Sequence, residues 1–231
     1  MGILERSQHG DVVVLRWNDG ENRYRGDSVA EWHAALDELA GREGPLALVV
    51  TGTGKFFSNG LDLDWMGANR DESPAMLAEV HRLFGRLLTF PAFTVAAVNG
   101  HAFAGGAMLT CGFDMRLMRA DRGYWCLPEV DLGLPLTDPM FAVVSARLPH
   151  ATLHESIVTG RRYAGPEAVA AGIVEATAAI DDLLQQTAAR LTDPKNEATL
   201  TDTDAATVLA TNAMHSKAIL DLANRWIKAD A

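Results

Sequence analysis

The sequence predicts an α/β domain with largely parallel strand pairing. Three observations carry this. Continuous apolar runs recur at DVVVLRW (11–17), LALVVTG (46–52) and FTVAAVN (93–99), and uninterrupted hydrophobicity marks strands buried on both faces. Stretches of helical periodicity alternate with these runs. Two-residue hairpin signals between consecutive strands are absent.

Each element has its own local reason. Residues 18–27, NDGENRYRGD, form a polar turn after the first strand. Ser28 and Glu31 have the spacing of a capping box at the start of a helix. Val29, Trp32, Leu36 and Leu39 form its apolar stripe, and Gly41 ends it. After the second strand, residues 53–72 read as a long connection, which a compact domain seldom keeps without a task. Ser73-Pro74 opens the next helix as a cap followed by proline at the first helical position. Leu77, Val80, Phe84 and Leu87 share one face of that helix, which makes them core. The third strand leads to Gly105-Gly106, a short helix and a further strand at DMRLM (114–118). YWCLPEVDLGL (124–134) reads as extended. From about Asp138 the pattern is helical, punctuated by Pro149, Gly160 and Gly172. The chain from about 181 onward reads as a helical C-terminal layer.

The 231 residues, 48% hydrophobic, suffice for one large domain or two small ones. The net charge of −10 argues against a nucleic-acid partner, which needs a basic face. It leaves room for an anionic small molecule, because a few arginines create a local positive site. No apolar run approaches the roughly 20 residues a membrane span needs, so no membrane partner is expected. The first residues lack a basic segment followed by an apolar one, so no signal peptide is expected. Cys111 and Cys126 lie in apolar surroundings and read as reduced core thiols. Together these place the chain in the cytoplasm.

Glycines mark the candidate site. TGTGKFF (51–57) lacks the spacing of a phosphate-binding P-loop. GHAFAGG (100–106) fails the dinucleotide fingerprint at its second glycine, where Ala102 stands. What remains is a glycine pair at a helix start, where free N–H groups can meet an oxyanion or anion. Close packing of helix on strand is the competing explanation. A second glycine loop, SNGLD (58–62), also follows a strand. Two such loops after parallel strands open on one sheet edge, where α/β proteins bind ligands.

KFFSNGLDL (55–63), PAFTVAAVNGHAFAGGAML (91–109), LPEVDLGLP (127–135) and GRRYAGPEAVAAGIVEA (160–176) together resemble the enoyl-CoA hydratase/isomerase (crotonase) superfamily, in order from about residue 11 to 177. The resemblance implies a fold of stacked ββα turns with a C-terminal helical region. It divides the chain into an acyl-CoA-binding core, 1–180, and a helical region, 181–231, packing on the core or on a neighbouring subunit. It implies a homotrimer or dimer of trimers, an acyl-CoA thioester substrate, and no metal or cofactor, since coenzyme A belongs to the substrate. The C-terminal stretch lacks the family's common E-G-x-x-A-F pattern and receives no site residue.

The same resemblance assigns roles. Leu61 and Gly105 match the two N–H donors that hold the thioester oxygen. Glu129 matches one of the two glutamates of the family's hydratases, and Met108 stands where the other would be. Adding water needs groups that orient water and deliver a proton to carbon, and a thioether does neither. Moving a double bond needs one carboxylate, so the resemblance points to a Δ3,Δ2-enoyl-CoA isomerase. Burial of Glu129 among Leu127, Pro128 and Val130 would raise its pKa. Asp62, Asp64 and Asp131 are lesser proton carriers, Asp62 also a substrate contact, and Asp114 and His101 read as structural. Trp65, Met66, Gly106 and Met108 are candidate acyl-pocket residues, and Arg23, Arg25 and Lys55 candidate partners of the coenzyme A phosphates. A hydratase or other acyl-CoA lyase is the alternative, and a non-catalytic acyl-CoA-binding subunit the alternative of another class.

Overall fold

A computed structural model of the chain describes residues 2–44 and 46–191. Its elements in order are β1 (Leu4–His9), β2 (Val12–Trp17), β3 (Arg23–Tyr24), α1 (Gly26–Ala40), β4 (Ala47–Gly52), β5 (Phe56–Ser58), β6 (Gly60–Leu61), α2 (Leu63–Ala68), α3 (Ser73–Leu88), β7 (Phe93–Val98), β8 (His101–Phe103), α4 (Gly105–Thr110), β9 (Met115–Arg119), β10 (Trp125–Cys126), α5 (Glu129–Leu132), α6 (Asp138–Ser145), α7 (His150–Thr159), α8 (Gly165–Ala170), β11 (Ala176–Ala178) and α9 (Ile180–Leu191).

The main sheet has the order β1-β2-β4-β7-β9-β11. Every pairing in it is parallel except β1 with β2. Its central strands β4 and β7 are buried almost throughout, which explains why their sequences run apolar without alternation. One face of the sheet supports the large core, where Leu15, Leu48, Val50 and Ala96 meet Trp32, Leu36, Val80 and Phe84. The other face presents Val14, Val49, Val95 and Leu117 to Leu183 and Leu184 of α9. A parallel sheet β10-β8-β5 and a small pair β3-β6 complete the strands.

The expected buried strands and helical stripes stand where the hydrophobic pattern puts them, with several corrections. Residues 124–134 are not extended: only Trp125–Cys126 is strand, and Glu129–Leu132 forms a helical turn. Gly133, at φ +66°, closes that turn, and the Leu134 N–H returns to the Glu129 carbonyl. The connection 53–72 contains β5, β6 and α2. Helix α1 begins at Gly26, two residues before Ser28, which occupies its third position and accepts a hydrogen bond from the Arg25 N–H at 2.8 Å. Glu31 instead accepts from the Leu4 N–H, tying β1 to α1. Ser73 is the first residue of α3 rather than its cap, and its hydroxyl donates to the Asn69 and Met66 carbonyls. His101 belongs to β8. Strand β1 pairs antiparallel with β2 across Gly10 at φ +60°, a hairpin the short polar run 4–11 did not signal. Helix α9 begins the expected C-terminal helical region, whose remainder from residue 192 lies outside the described residues.

Candidate active site

Three strand ends build the site. Strands β5, β8 and β10 run parallel, paired through Trp125 with Ala102, Cys126 with Phe103, and Phe56 with His101. They therefore release their chains at one edge. Beyond β5 come Gly60 and Leu61, beyond β8 come Ala104 and Gly105, and beyond β10 come Leu127, Pro128 and Glu129. This is the carboxyl edge, where parallel sheets place their ligands.

The backbone at the expected donors, Leu61 and Gly105, is set by close approach. Gly60 has φ +78°, and a β-carbon on it would lie 2.8 Å from the Gly105 nitrogen. The Asp62 N–H donates to the Tyr24 carbonyl at 3.1 Å, so the Leu61 N–H, one residue earlier, faces away from β3. Gly105 opens α4, and the first N–H groups of a helix have no partner within it. Ala104, at φ +50°, makes the turn between β8 and α4. A non-glycine residue held there costs on the order of 1–3 kcal/mol and persists only where its surroundings over-determine it. The Tyr24 hydroxyl reaches the Gly105 carbonyl at 3.4 Å.

Gly106 has a different task. A β-carbon on it would collide with the Ser58 carbonyl, so its smallness serves the packing of α4 on β5. Contact geometry assigns packing to Gly106, and a β-carbon on Gly105 would also press on the Tyr24 ring at 3.2 Å, so packing accounts for part of both glycines.

Glu129 opens α5 half-buried. Its Oε2 is buried without a hydrogen-bond partner among the described residues. Burial pushes its pKa up to about 7 from an ordinary 4.5. It borders a cleft of about 580 Å³ whose walls include Leu134, Leu136, Phe141, Ile157 and Val158, with Asp138 as a second carboxylate. Met108 is completely buried in the core, and its thioether offers no proton there.

The remaining candidates are mostly engaged elsewhere. Arg23 makes a two-nitrogen contact with Glu21, at 2.9 and 2.6 Å. Arg25 pairs with Asp19 at 2.6 Å, with Asp27 at 3.3 Å and more distantly with Asp62. Asp62 caps α2 by accepting from the Trp65 N–H at 3.0 Å. Trp65 and Met66 are half-buried against the core, with the Trp65 ring 3.5 Å from where a β-carbon on Gly26 would stand. Lys55 lies over the Phe56 ring, 5.3 Å from its centroid, before β5 and thus at the edge away from the glycines. Asp64 and Asp131 are exposed, the latter lying against Gly160. Asp114 is structural, accepting from the Thr94 N–H and hydroxyl at 2.8 and 2.9 Å. His101 stacks among Phe56, Phe103 and Tyr124. Cys111 and Cys126 are free buried thiols held protonated by burial. Among the described residues no group of three His, Cys, Asp or Glu stands ready for a metal ion, and no helix is long and apolar enough to cross a membrane.

One supporting residue carries no sequence signal. Asn22 is fully buried at φ +54°. Its amide donates to the Phe56 and Phe57 carbonyls at 3.1 Å each, and the Ser58 hydroxyl donates to its carbonyl at 2.6 Å. It fixes β5 and hence the donor loop, yet within NDGENRY it looks like any turn asparagine.

Residues 11–229 match the enoyl-CoA hydratase/isomerase family. Enoyl-CoA delta isomerase 2, peroxisomal, of Arabidopsis thaliana is 36% identical over 188 residues, covering 77% of each chain. The chain belongs to the enoyl-CoA hydratase/isomerase family. As such it is an acyl-CoA-binding enzyme with isomerase or hydratase activity. Enoyl-CoA delta isomerase 3 of the same plant is 35% identical over 185 residues, again covering 77% of each chain. The crotonase fold extends to a solved enoyl-CoA hydratase/isomerase family protein from Pseudomonas syringae, with a TM-score of 0.88 at 24% identity over 99% of this chain and 96% of that one.

Proposed function

We propose that this family member is a Δ3,Δ2-enoyl-CoA isomerase. The observation that carries the proposal is the pairing of one half-buried carboxylate, Glu129, whose Oε2 has no hydrogen-bond partner among the described residues, with a fully buried thioether at Met108. The thioester oxygen accepts hydrogen bonds from the Leu61 and Gly105 N–H groups. Glu129 takes a proton from C2 of the 3-enoyl group. The electron pair spreads over the dienolate, from the thioester oxygen to C4, while the two donors hold the oxygen. The protonated Glu129 then returns the proton at C4, so the double bond lies between C2 and C3. Atoms and charge balance without a cofactor. Losing one such donor costs about 3 kcal/mol of transition-state stabilisation.

The delta isomerases of Arabidopsis support this reaction over others of the family by their likeness. A homotrimer or dimer of trimers is part of the proposal, as the family resemblance implies. Its mass in solution tests that part. Arg23 and Arg25 remain the proposed phosphate contacts, by exchanging a carboxylate partner for phosphate; Lys55, at the opposite edge of its sheet, is dropped from them.

A second reading, water addition, rests on Asp138, which shares the cleft with Glu129. The test runs both reactions on one enzyme: conversion of 3-enoyl-CoA to trans-2-enoyl-CoA, and hydration of crotonyl-CoA followed by loss of ultraviolet absorbance. Isomerisation that Glu129→Gln abolishes is expected. Full activity in that variant would overturn the mechanism, and hydration outrunning isomerisation would favour the second reading.

A further inference from the structure

One stretch of the cleft wall makes few backbone hydrogen bonds, although Leu136 packs on the core. After α5 ends at Gly133, the chain crosses Leu134, Pro135, Leu136 and Thr137 before α6 begins. Leu134 donates its N–H to the Glu129 carbonyl. Pro135 has no N–H, and the N–H groups of Leu136 and Thr137 make no backbone hydrogen bond among the described residues. Yet Leu134, Pro135, Leu136 and Asp138 all line the cleft, as does Phe141 of α6.

Thr137 is the N-cap residue of α6, with extended backbone angles, but its hydroxyl makes no capping bond. A threonine there ordinarily turns its hydroxyl inward to the helix's own N–H groups. Here the hydroxyl lies 3.0 Å from Nε2 of His81 instead. His81 stands on α3, a 16-residue helix whose Val80, Leu83 and Phe84 are sealed in the core. The histidine therefore connects a rigid element to a segment with few bonds of its own.

We propose that His81 is a positioning residue that sets acyl-chain selectivity by latching Thr137 and so fixing the cleft wall from Leu134 to Asp138. The inference rests on the acyl-CoA reading of the cleft. Burial lowers the His81 pKa to about 4, so the ring is neutral at working pH and the latch is an uncharged hydrogen bond. His81 touches no reacting atom. It acts by deciding how much room the wall leaves beside Glu129.

The test compares Thr137→Val, which removes the hydroxyl at constant shape, with Thr137→Ser, which keeps it, alongside His81→Phe and the double variant His81→Phe/Thr137→Val. For 3-enoyl-CoA substrates of short and long chain, Thr137→Val and His81→Phe are expected to shift the ratio of the two kcat/KM values by on the order of fivefold, the net effect of one lost hydrogen bond. The change is expected in KM rather than kcat. The double variant should shift it no further, and Thr137→Ser should restore the original ratio. Faster amide hydrogen exchange over residues 134–141 is expected in Thr137→Val. An unchanged ratio with unchanged exchange, or a Thr137→Ser variant that behaves like Thr137→Val, would overturn the latch. Should the wild-type protein turn over no 3-enoyl-CoA, the isomerase reading falls alone. Hydrogen exchange and calorimetric binding of saturated acyl-CoA of two lengths then decide the latch independently.

Discussion

The Ala104 N–H donates to the Cys126 carbonyl over 3.0 Å, and this bond ties the strand leading to Gly105, a proposed oxyanion donor, to the strand leading to Glu129, the proposed proton carrier. Ala104 immediately precedes Gly105, and Cys126 lies three residues before Glu129. The parallel register of β8 and β10 thus decides which carboxylate stands at the donor edge. On the other flank of β8, Gly60 nearly touches Gly105. Gly60→Ala is expected to displace the Gly105 donor and strain the backbone at φ +78°. The variant should lose about 1–2 kcal/mol from backbone strain alone and roughly 10²-fold in kcat. Gly54→Ala separates these effects. Gly54 has φ +63° with nothing within 4 Å, so strain falls on stability without touching a donor. Melting curves and kcat of both variants check this, and equal loss of kcat in the two would refute the close-approach argument.

Glu129 carries a stability penalty as well as its proposed chemical role. Its folded pKa, about 7, lies above the ordinary 4.5. Between these values the folded state binds more protons than the unfolded one, so stability falls as pH rises through that window. Replacing Glu129 with glutamine removes the penalty. At pH 8 Glu129→Gln should be more stable than wild type by about 1–3 kcal/mol, after discounting for partial exposure, with the gain gone by about pH 4.5. His81 acts in the opposite sense. Its folded value, about 4, lies below 6.5, so it makes stability rise with pH between those values. The difference between variant and wild type cancels it. Denaturant titrations across this range give the answer, and a gain independent of pH would disprove the assignment.

In the proposed mechanism the same ionisation governs rate. A base must be unprotonated to take the C2 proton, so kcat/KM should climb with pH along a single limb near pH 7. A limb near 4.5 would mean that Glu129 is solvated in the working enzyme. Pre-steady-state proton exchange at C2, followed against pH, separates this step from product release.

How much of this was legible in the sequence depends on how local each cause is. Strands β4 and β7 were plain, because burial on both faces writes itself as an unbroken apolar run. The raised pKa of Glu129 was legible only in part: its own burial raises it, but of the apolar neighbours that suggested this only Leu127 is fully buried, Pro128 is half-buried and Val130 is exposed. Strands β5 and β8 were not legible, because three residues show no period and their partners lie tens of residues away, while β10 fell inside the run read as extended. Residues 129–132 were misread because Val130, Leu132 and Leu134 alternate like a strand, although all three are exposed and the turn is closed by Gly133. No sequence pattern shows that Arg25 is already neutralised by acids from two segments, Asp19 and Asp62. The turn composition of residues 18–24 likewise hid the role of Asn22.

Asn22 yields a prediction of its own. Asn22→Ala removes the donor to the Phe56 and Phe57 carbonyls and places alanine at φ +54°. Leaving buried acceptors unpaired costs about 1–3 kcal/mol, and the left-handed backbone adds about 1–2. Asn22→Gly should recover the second part and not the first. A variant pair of equal stability would show that the backbone conformation at Asn22 carries no strain.

Met108 provides the sharpest check on the choice of reaction. The family resemblance puts a carboxylate of the hydratases at this position, and the structure puts the Met108 side chain wholly inside the core. Met108→Glu therefore supplies a second proton carrier and at the same time buries a carboxyl among apolar neighbours. Burying a polar group without a partner costs about 2–4 kcal/mol in such settings. For a chain of this size that lowers the melting temperature by roughly 4–16 °C. Crotonyl-CoA hydration should appear in the variant while isomerisation through Glu129 persists. The carboxyl at 108 remains protonated well above the ordinary range, because burial disfavours its charged form, which suits it to deliver a proton rather than to take one. A folded variant, verified by circular dichroism, that hydrates no faster than wild type would remove Met108 as the residue that separates the two reactions.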